Sequence, residues 1–271
     1  MTDPSNAQPV RHILSLSGGK DSTALAIYLR DRIPEREYVF CDTGEELPET
    51  YEYLIKLEAY LGKEIKRLKA RQTFEDMLKA RGGFLPSAQV RWCTEYLKIK
   101  PFEEEVGDSI CHNYVGIRAD EPYRKGYIST KLNIIAHYPF IEDGIVKEDV
   151  LKILRDSGIG LPKYYEWRSR SGCYFCFFQQ RVEWLGLLEN HPHLYKKAEE
   201  FEKEDADTGE RYTWSPRESL KELRSPKRQQ AIRDENRRRL TRQQNSRANL
   251  KLVDVFSMDE LKEESCLICQ L

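Results

Sequence analysis

"SLSGGKDSTALAIYL", residues 15–29, joins an apolar run to a stretch with helical spacing. The residues before it, "HILSL" at 12–16, read as a buried strand entering the glycines. The residues after it, "DSTALAIYLRDRI", place leucine, isoleucine and tyrosine at helical intervals, so a helix is expected from about Asp21 or Ser22. Glycines let the backbone turn tightly and bring its N–H groups close to an anion. The helix start adds free N–H groups and a partial positive charge. Lys20 and the hydroxyls of Ser15, Ser17 and Ser22 add side-chain donors. The spacing is not the Walker pattern. The stretch reads as a phosphate-binding loop, with Ser15, Ser17, Gly18, Gly19, Lys20 and Ser22 as its candidate contacts.

Outward from this loop, strands and helices alternate. "REYVFCDTG" (36–44) is a second strand ending in a polar turn. "LPETYEYLIKLEAYLG" (47–62) is a helix with Pro48 in its first turn and Gly62 at its end. "KEIKRLKA" (63–70) is a third strand, "TFEDMLKARG" (73–82) a short helix, and "NYVGI" (113–117) a further strand. Residues 145–160 add another helix. The order implies an α/β fold, a doubly wound parallel sheet with helices on both faces. Beyond about residue 180 the strand signal fades. "RVEWLGLLENHPHLYKKAEEFEKEDA" is helical with a break at His191-Pro192, and "SPRESLKELRSPKRQQAIRDENRRRLTRQQN" is a polar, arginine-rich helical stretch. Three segments are therefore expected: an α/β nucleotide-binding unit at 1–180, a helical extension at 181–255, and a cysteine-containing tail at 256–271.

Of the 271 residues, 33% are charged and 39% hydrophobic, yet the formal net charge is only -1. Global electrostatics therefore argue for neither nucleic acid nor membrane. No apolar run approaches the ~20 residues that span a bilayer, and "MTDPSNAQPVRH" lacks the build of a signal peptide. A cytoplasmic protein is expected. There the seven cysteines would be reduced, and paired ones point to metal or redox work before structural disulfides.

Ligands of such sheets sit beyond the carboxyl ends of the strands, so "FCDTGEELPET" should border a nucleotide, with Asp42 and Glu45 as candidates. Cys41 serves equally well as a packed strand residue. "RWCTEYLKIKPFE" (91–103) gathers Arg91, Lys98 and Lys100 around Cys93, and "GIRADEPYRKGY" (116–127) adds Arg118 and Arg124. Such cations suit polyphosphate or a sulfated nucleotide. "SGCYFCFF" (171–178) carries Cys173 and Cys176 at a spacing that lets two thiolates reach one metal centre, and Cys93 is a third candidate ligand. An iron–sulfur cluster, a structural zinc site, and free or oxidised thiols are the three readings of this set. "ESCLICQL" (264–271) is a second pair, Cys266 and Cys269, which could relay sulfur or ligate metal. Between residues 224 and 247 nine basic residues, including Arg224, Arg228, Arg233, Arg237 and Arg239, form an electrostatic footprint for a nucleic-acid backbone, or an ordinary solvated helix. His12, His112 and His137 read as packed strand residues, and His191 and His193 as capping or surface groups.

"SLSGGKDS" is also the signature of the PP-loop superfamily, which this sequence resembles over roughly residues 12–200. "VFCDTGEELPETYEYL", "RWCTEYLKIKPFE", "VGIRADEPYR" and "SGCYFCFF" are similar to the phosphoadenosine phosphosulfate (PAPS) reductase branch. The resemblance implies an adenine-nucleotide α-hydrolase fold and cleavage of ATP between its α and β phosphates, with Lys20, Asp21 and Ser22 in the catalytic loop. It places Asp42 or Glu45 near ribose or Mg²⁺, and gives Lys98, Arg118 and Arg124 phosphate-binding roles. In similar sulfurtransferases three cysteines hold a [4Fe-4S] cluster whose open iron carries sulfur. Reductases of the branch end in a Glu-Cys-Gly-x-His tail. Here Glu264 and Cys266 fall in a similar place, but the glycine and histidine are missing. The nearest functional likeness is to the Dnd-type phosphorothioation enzymes and to transfer-RNA thiolation enzymes. ATP with Mg²⁺, DNA or tRNA, a sulfur-donor protein and a homodimeric partner are the expectations that follow. Reduction of PAPS or adenosine phosphosulfate, and a non-catalytic nucleotide-binding subunit, are the alternatives.

Overall fold

The computed structural model describes residues 9–248 apart from 125, 127, 128, 130, 205–208, 210, 216 and 217. Five strands form one parallel sheet: β1 (Val10–Leu16), β2 (Glu37–Asp42), β3 (Ile65–Lys69), β4 (Ile110–Tyr114) and β5 (Ile134–His137), in the order β3-β2-β1-β4-β5. All four pairings are parallel, with Leu14 facing Tyr38 on one side and Tyr114 on the other. Adjacent residues Ile13 and Leu14 are both fully buried. A strand buried on both faces has to be apolar at successive positions, which is why "HILSL" shows no alternation.

On one face Leu14, Leu16 and Phe40 pack against helices α1 (Lys20–Leu29), α2 (Pro48–Leu61) and, through Val150 and Leu154, a later helix at Lys147–Asp156. On the other face Ile13, Val39 and Cys41 meet Phe102 and Val106 of the helix at Lys100–Val106. The expected doubly wound architecture is present. Its details differ in several places, and the strand at Ile134–His137 and the helix at Lys100–Val106 are elements that the sequence reading did not mark. The first helix begins at Lys20, directly behind the glycines. The fourth strand is Ile110–Tyr114 and not residues 113–117, because pairing with β1 stops at Tyr114. The chain then leaves the sheet and lays Gly116 on the Asp21 carbonyl, where a Cβ would stand 3.0 Å from the oxygen. A two-residue antiparallel ladder, Lys203–Glu204 with Arg211–Tyr212, also lies beyond residue 180.

Local signals set the helix ends. Gly62 closes α2 at φ 62°, a left-handed conformation that glycine adopts without steric cost. Thr73 caps α3 (Phe74–Ala80) through a reciprocal capping box with Asp76. The break at His191-Pro192 separates the helices Arg181–Asn190 and Pro192–Phe201, with Pro192 at the first turn of the second.

A third core joins early and late parts of the chain. Phe74 and Trp92 pack with Phe175, Trp184, Tyr195 and Trp214. Phe74 and Phe175 have ring centroids 4.2 Å apart, and Phe175 stacks on Trp214 at 4.9 Å. Rings of this size dominate the burial energy of a core. They anchor residues 163–179 against the sheet's carboxyl edge.

Candidate nucleotide and thiol site

The chain runs from β1 to β2 to β3 in one direction and returns to place β4 on the other side of β1. Helical connections diverge at that reversal and leave a crevice at the strands' carboxyl ends, where ligands of such sheets bind. Ser17, Gly18 and Gly19 follow β1 at this point, and Arg118 follows β4. The Ser17 N–H donates to Ser22 Oγ at 3.1 Å, and Ser22 Oγ donates to the Gly19 carbonyl at 3.3 Å, so Ser22 shapes the loop from inside. Gly18 has φ 68°, and a Cβ there would stand 2.6 Å from Thr50 Cγ2. A Cβ on Gly19 would stand 2.6 Å from Ser171 Oγ. Both glycines are therefore required by close approach. Ser15 is 2% exposed and donates to Asn113 Oδ1 at 2.9 Å, so it locks β1 to β4 below the loop.

Three residues from residues 163–179 hold the loop from outside. Tyr164 Oη donates to the Gly18 carbonyl at 2.7 Å, the Lys20 N–H donates to Tyr165 Oη at 3.1 Å, and Ser171 Oγ donates to Ser17 Oγ at 3.2 Å. None of the three is legible from the sequence, where "KYYEW" resembles any aromatic packing segment. Thr50 and Asn113 were invisible for the same reason.

Behind the loop lies a buried charge network. Lys20 Nζ is 3.3 Å from Asp21, whose other oxygen accepts from Arg118 Nη1 at 3.0 Å. Burial works against ionising Asp21, but Lys20 and Arg118 outweigh it and hold its carboxyl below the ordinary range. Arg118 also pairs with Asp120 and Glu121, and Arg124 donates to Glu121 at 2.8 Å. The network orients Lys20 and presents two arginines at the end of β4. Asp42 instead shapes the turn after β2, where its Oδ1 accepts from the Gly44 N–H at 2.9 Å and from Tyr51 Oη at 2.7 Å. Glu45 pairs with Lys197 at 3.2 Å, and burial raises its pKa above the usual carboxylate value.

The thiols gather beside this turn. Cys173 Sγ lies 3.3 Å from Thr43 Oγ1 and donates to Glu46 Oε1 at 3.7 Å. Cys176 is within electrostatic reach of both Cys93 and Cys173. Burial pushes the Cys93 thiol up to about 11 and Cys173 well above its ordinary value. Lys98, 8% exposed, sits among them. Burial disfavours its charge, but Glu46, Cys173, Cys41 and Cys176 keep it above the ordinary lysine range. Lys98 thus belongs with the thiols. Cys41 is a packed strand residue whose thiol, pushed up to about 12 by burial, donates to the Lys98 carbonyl at 3.5 Å. Among the described residues, no three His, Cys, Asp or Glu side chains are set to hold one metal ion. Cys266 and Cys269 lie outside the described residues.

The basic stretch forms one helix, Pro226–Ala248. Part of its charge is matched: Arg228 pairs with Glu218 and Glu235, Arg233 with Glu189, and Arg237 with Asp234, while Arg224 just before it pairs with Glu199. His12, His112 and His137 stack with Tyr114 on the sheet, with Nδ1 of His112 2.8 Å from Nε2 of His137. No helix among the described residues is long and apolar enough to cross a membrane.

Residues 11–142 match the phosphoadenosine phosphosulfate reductase domain. An uncharacterized protein of Methanocaldococcus jannaschii is 28% identical over 211 residues, covering 72% of this chain and 42% of that protein. The chain thus spans less than half the length of that relative. Among solved structures, the PAPS reductase of Candida auris in its phosphate complex has a TM-score of 0.46 at 15% identity, over 62% of this chain and 83% of that one. The U34-tRNA thiolase of Methanococcus maripaludis with its [4Fe-4S] cluster has a TM-score of 0.39 at 18% identity, over 71% and 69%. The strand, glycine turn and helix at the sheet's reversal point lie within residues 11–142, the part of the chain that is similar to the phosphoadenosine phosphosulfate reductase domain.

Proposed function

We propose that the chain is an ATP-using sulfurtransferase that adenylates an oxygen of a nucleic acid, DNA or transfer RNA, and replaces it with sulfur. One observation carries the reading. The segment that braces the phosphate loop through Tyr164, Tyr165 and Ser171 also delivers Cys173 and Cys176 beside the β2 turn. Nucleotide and sulfur chemistry thereby share one edge of the sheet.

The substrate oxygen attacks the α phosphorus, and pyrophosphate leaves with the electron pair of the broken P–O bond. A sulfide sulfur then attacks the adenylated centre, and AMP departs with the oxygen. Lys20 and the loop amides face the charge that develops on the phosphates, and Arg118 and Arg124 add positive charge at the β4 end. Asp21 positions Lys20. Mg²⁺ accompanies the ATP, with Asp42 the acid at the neighbouring strand end.

Cys93, Cys173 and Cys176 are the residues that would hold a [4Fe-4S] cluster, which supplies bound sulfide. Their chemistry fits it: the three thiols lie within electrostatic reach of one another and of the buried Lys98. A zinc ion takes each thiolate at about 2.3 Å from one centre, whereas a cluster takes thiolates on separate irons. A donor protein supplies the sulfur.

The test is an anaerobic preparation assayed for iron, sulfide and zinc, and for AMP and pyrophosphate release with DNA or transfer RNA. The reading expects about four irons and four sulfides per chain, turnover that nucleic acid stimulates, and loss of that turnover in Lys20→Ala. Full iron content in Cys173→Ala would sink the cluster assignment. The domain match favours a second reading, reduction of a sulfonucleotide. Sulfite release from PAPS with a thiol reductant, without AMP or pyrophosphate from ATP, would put that reading first.

A further inference from the structure

Beyond the phosphate loop, a groove of about 850 Å³ opens between residues 86–89, the turn after Cys176 and the arginine-rich helix. Phe177, Phe178, Arg170 and Arg239 line it. The two phenylalanine rings lie 4.5 Å apart, and the guanidinium groups of Arg91 and Arg170 lie over the Phe178 ring at 5.1 and 5.5 Å. Arg170 Nη1 is buried without a hydrogen-bond partner, and Arg239 donates to the neutral Asn236. The groove's carboxylate, Glu235, is already matched by Arg228 at 3.0 Å. Arg170 and Arg239 thus present cations beside an aromatic surface, and the segment that bears Arg170 also carries Cys173 and Cys176.

We infer that this groove binds single-stranded nucleic acid, with bases extending the Phe178–guanidinium stack and backbone phosphates on Arg170 and Arg239. The inference rests on the nucleic-acid reading above and names where that substrate lies. Aromatic faces with cations suit unpaired bases, because every base presents a π face once it leaves a duplex. A strand in the groove runs past Phe177 and Phe178, the residues that follow Cys176 in the chain. No base-edge code is built into these contacts, so binding is tolerant of sequence and sensitive to salt.

The experiment is fluorescence anisotropy with labelled 12-nucleotide oligouridylate and oligodeoxythymidylate at several salt concentrations. Phe178→Ala should weaken both by about five-fold or more, the effect of losing one stacked base. Arg170→Gln with Arg239→Gln should lower the slope of log affinity against log salt by about 0.7 for each phosphate no longer neutralised. ATP affinity serves as the folding control and should be unchanged in these variants. If Phe178→Ala loses it, the arginine pair alone decides. Affinities within two-fold of the parent in both variants would overturn the groove, as would equal, Phe178-independent binding of a 12-base-pair duplex. Lys20→Ala should bind the oligonucleotides normally while losing turnover. If the groove variants lose affinity but no nucleic acid stimulates pyrophosphate release, the catalytic reading fails and the groove stands.

Discussion

Tyr164 donates a 2.7 Å hydrogen bond to the carbonyl of Gly18, a residue 146 positions earlier in the chain. Tyr164 is fully buried, in the core that also holds Phe74, Trp92 and Trp184. The phosphate loop is therefore held in shape by the aromatic core of the chain's second half. Removing the hydroxyl in Tyr164→Phe leaves a buried carbonyl short of its donor, which costs about 1–3 kcal/mol. Urea unfolding should report that loss, and calorimetry should report weaker ATP binding. Unchanged ATP affinity would show that the brace is dispensable.

The two loop glycines should fail for different reasons. Gly18→Ala meets Thr50 and needs φ 68°, so it combines a clash with a conformation costing about 1–2 kcal/mol for an L residue. Gly19→Ala meets Ser171 most closely, at 2.6 Å from Oγ and 3.1 Å from Cβ, with Ser17 Oγ at 3.3 Å. Adding Ser171→Gly should therefore recover much of the ATP affinity lost in Gly19→Ala and little of that lost in Gly18→Ala. Equal rescue of both would contradict the geometry.

Arg118→Met should destabilise by about 3 kcal/mol, because it strips a buried carboxylate of one of its two cations. Asp21→Asn added to it should restore part of the stability, since the buried carboxylate left short of a cation is then gone. Turnover should not return, because Lys20 has lost its partner. Thermal unfolding and pyrophosphate release measured on the same samples separate the two effects.

Glu202 carries the clearest pH signature. Burial raises its pKa to about 7, although the N–H groups of Trp214 and Leu220 donate to it and favour the carboxylate. The folded state therefore keeps this proton to higher pH than the unfolded chain does. Its contribution is fully present below about pH 4.5 and is lost as pH rises to about 7. The loss should be on the order of 1–2 kcal/mol, allowing for solvent screening of a partly buried group. Urea midpoints at pH 5, 6 and 7 should fall in sequence, and Glu202→Gln should flatten that fall. An identical slope in the variant would assign it to other groups.

The order of the first four strands, the glycine turn between β1 and α1, the Pro48 and Gly62 boundaries and the break at Pro192 were all legible in the linear sequence. Each is a local event, set by residues within a turn or two of one another. The "RWCT" and "SGCYFC" stretches could be named as chemistry for the same reason, since thiol spacing is local. Three matters depended on contacts between distant residues. Val115–Ile117 looks like strand but ends the sheet, because Gly116 packs against the start of α1. Lys98 looks like a phosphate ligand but is buried with Glu46 and the thiols. The arginines of the last helix look like a uniform basic stripe, yet carboxylates of Glu218 and Glu189 match Arg228 and Arg233, while Arg239 donates to the neutral Asn236. Periodicity and turn chemistry act over a few residues, so the sequence determined most of the elements and where the glycine turn after β1 lies. Burial and charge pairing act across the folded chain, so only the tertiary structure decided what holds that loop and which cations stay available.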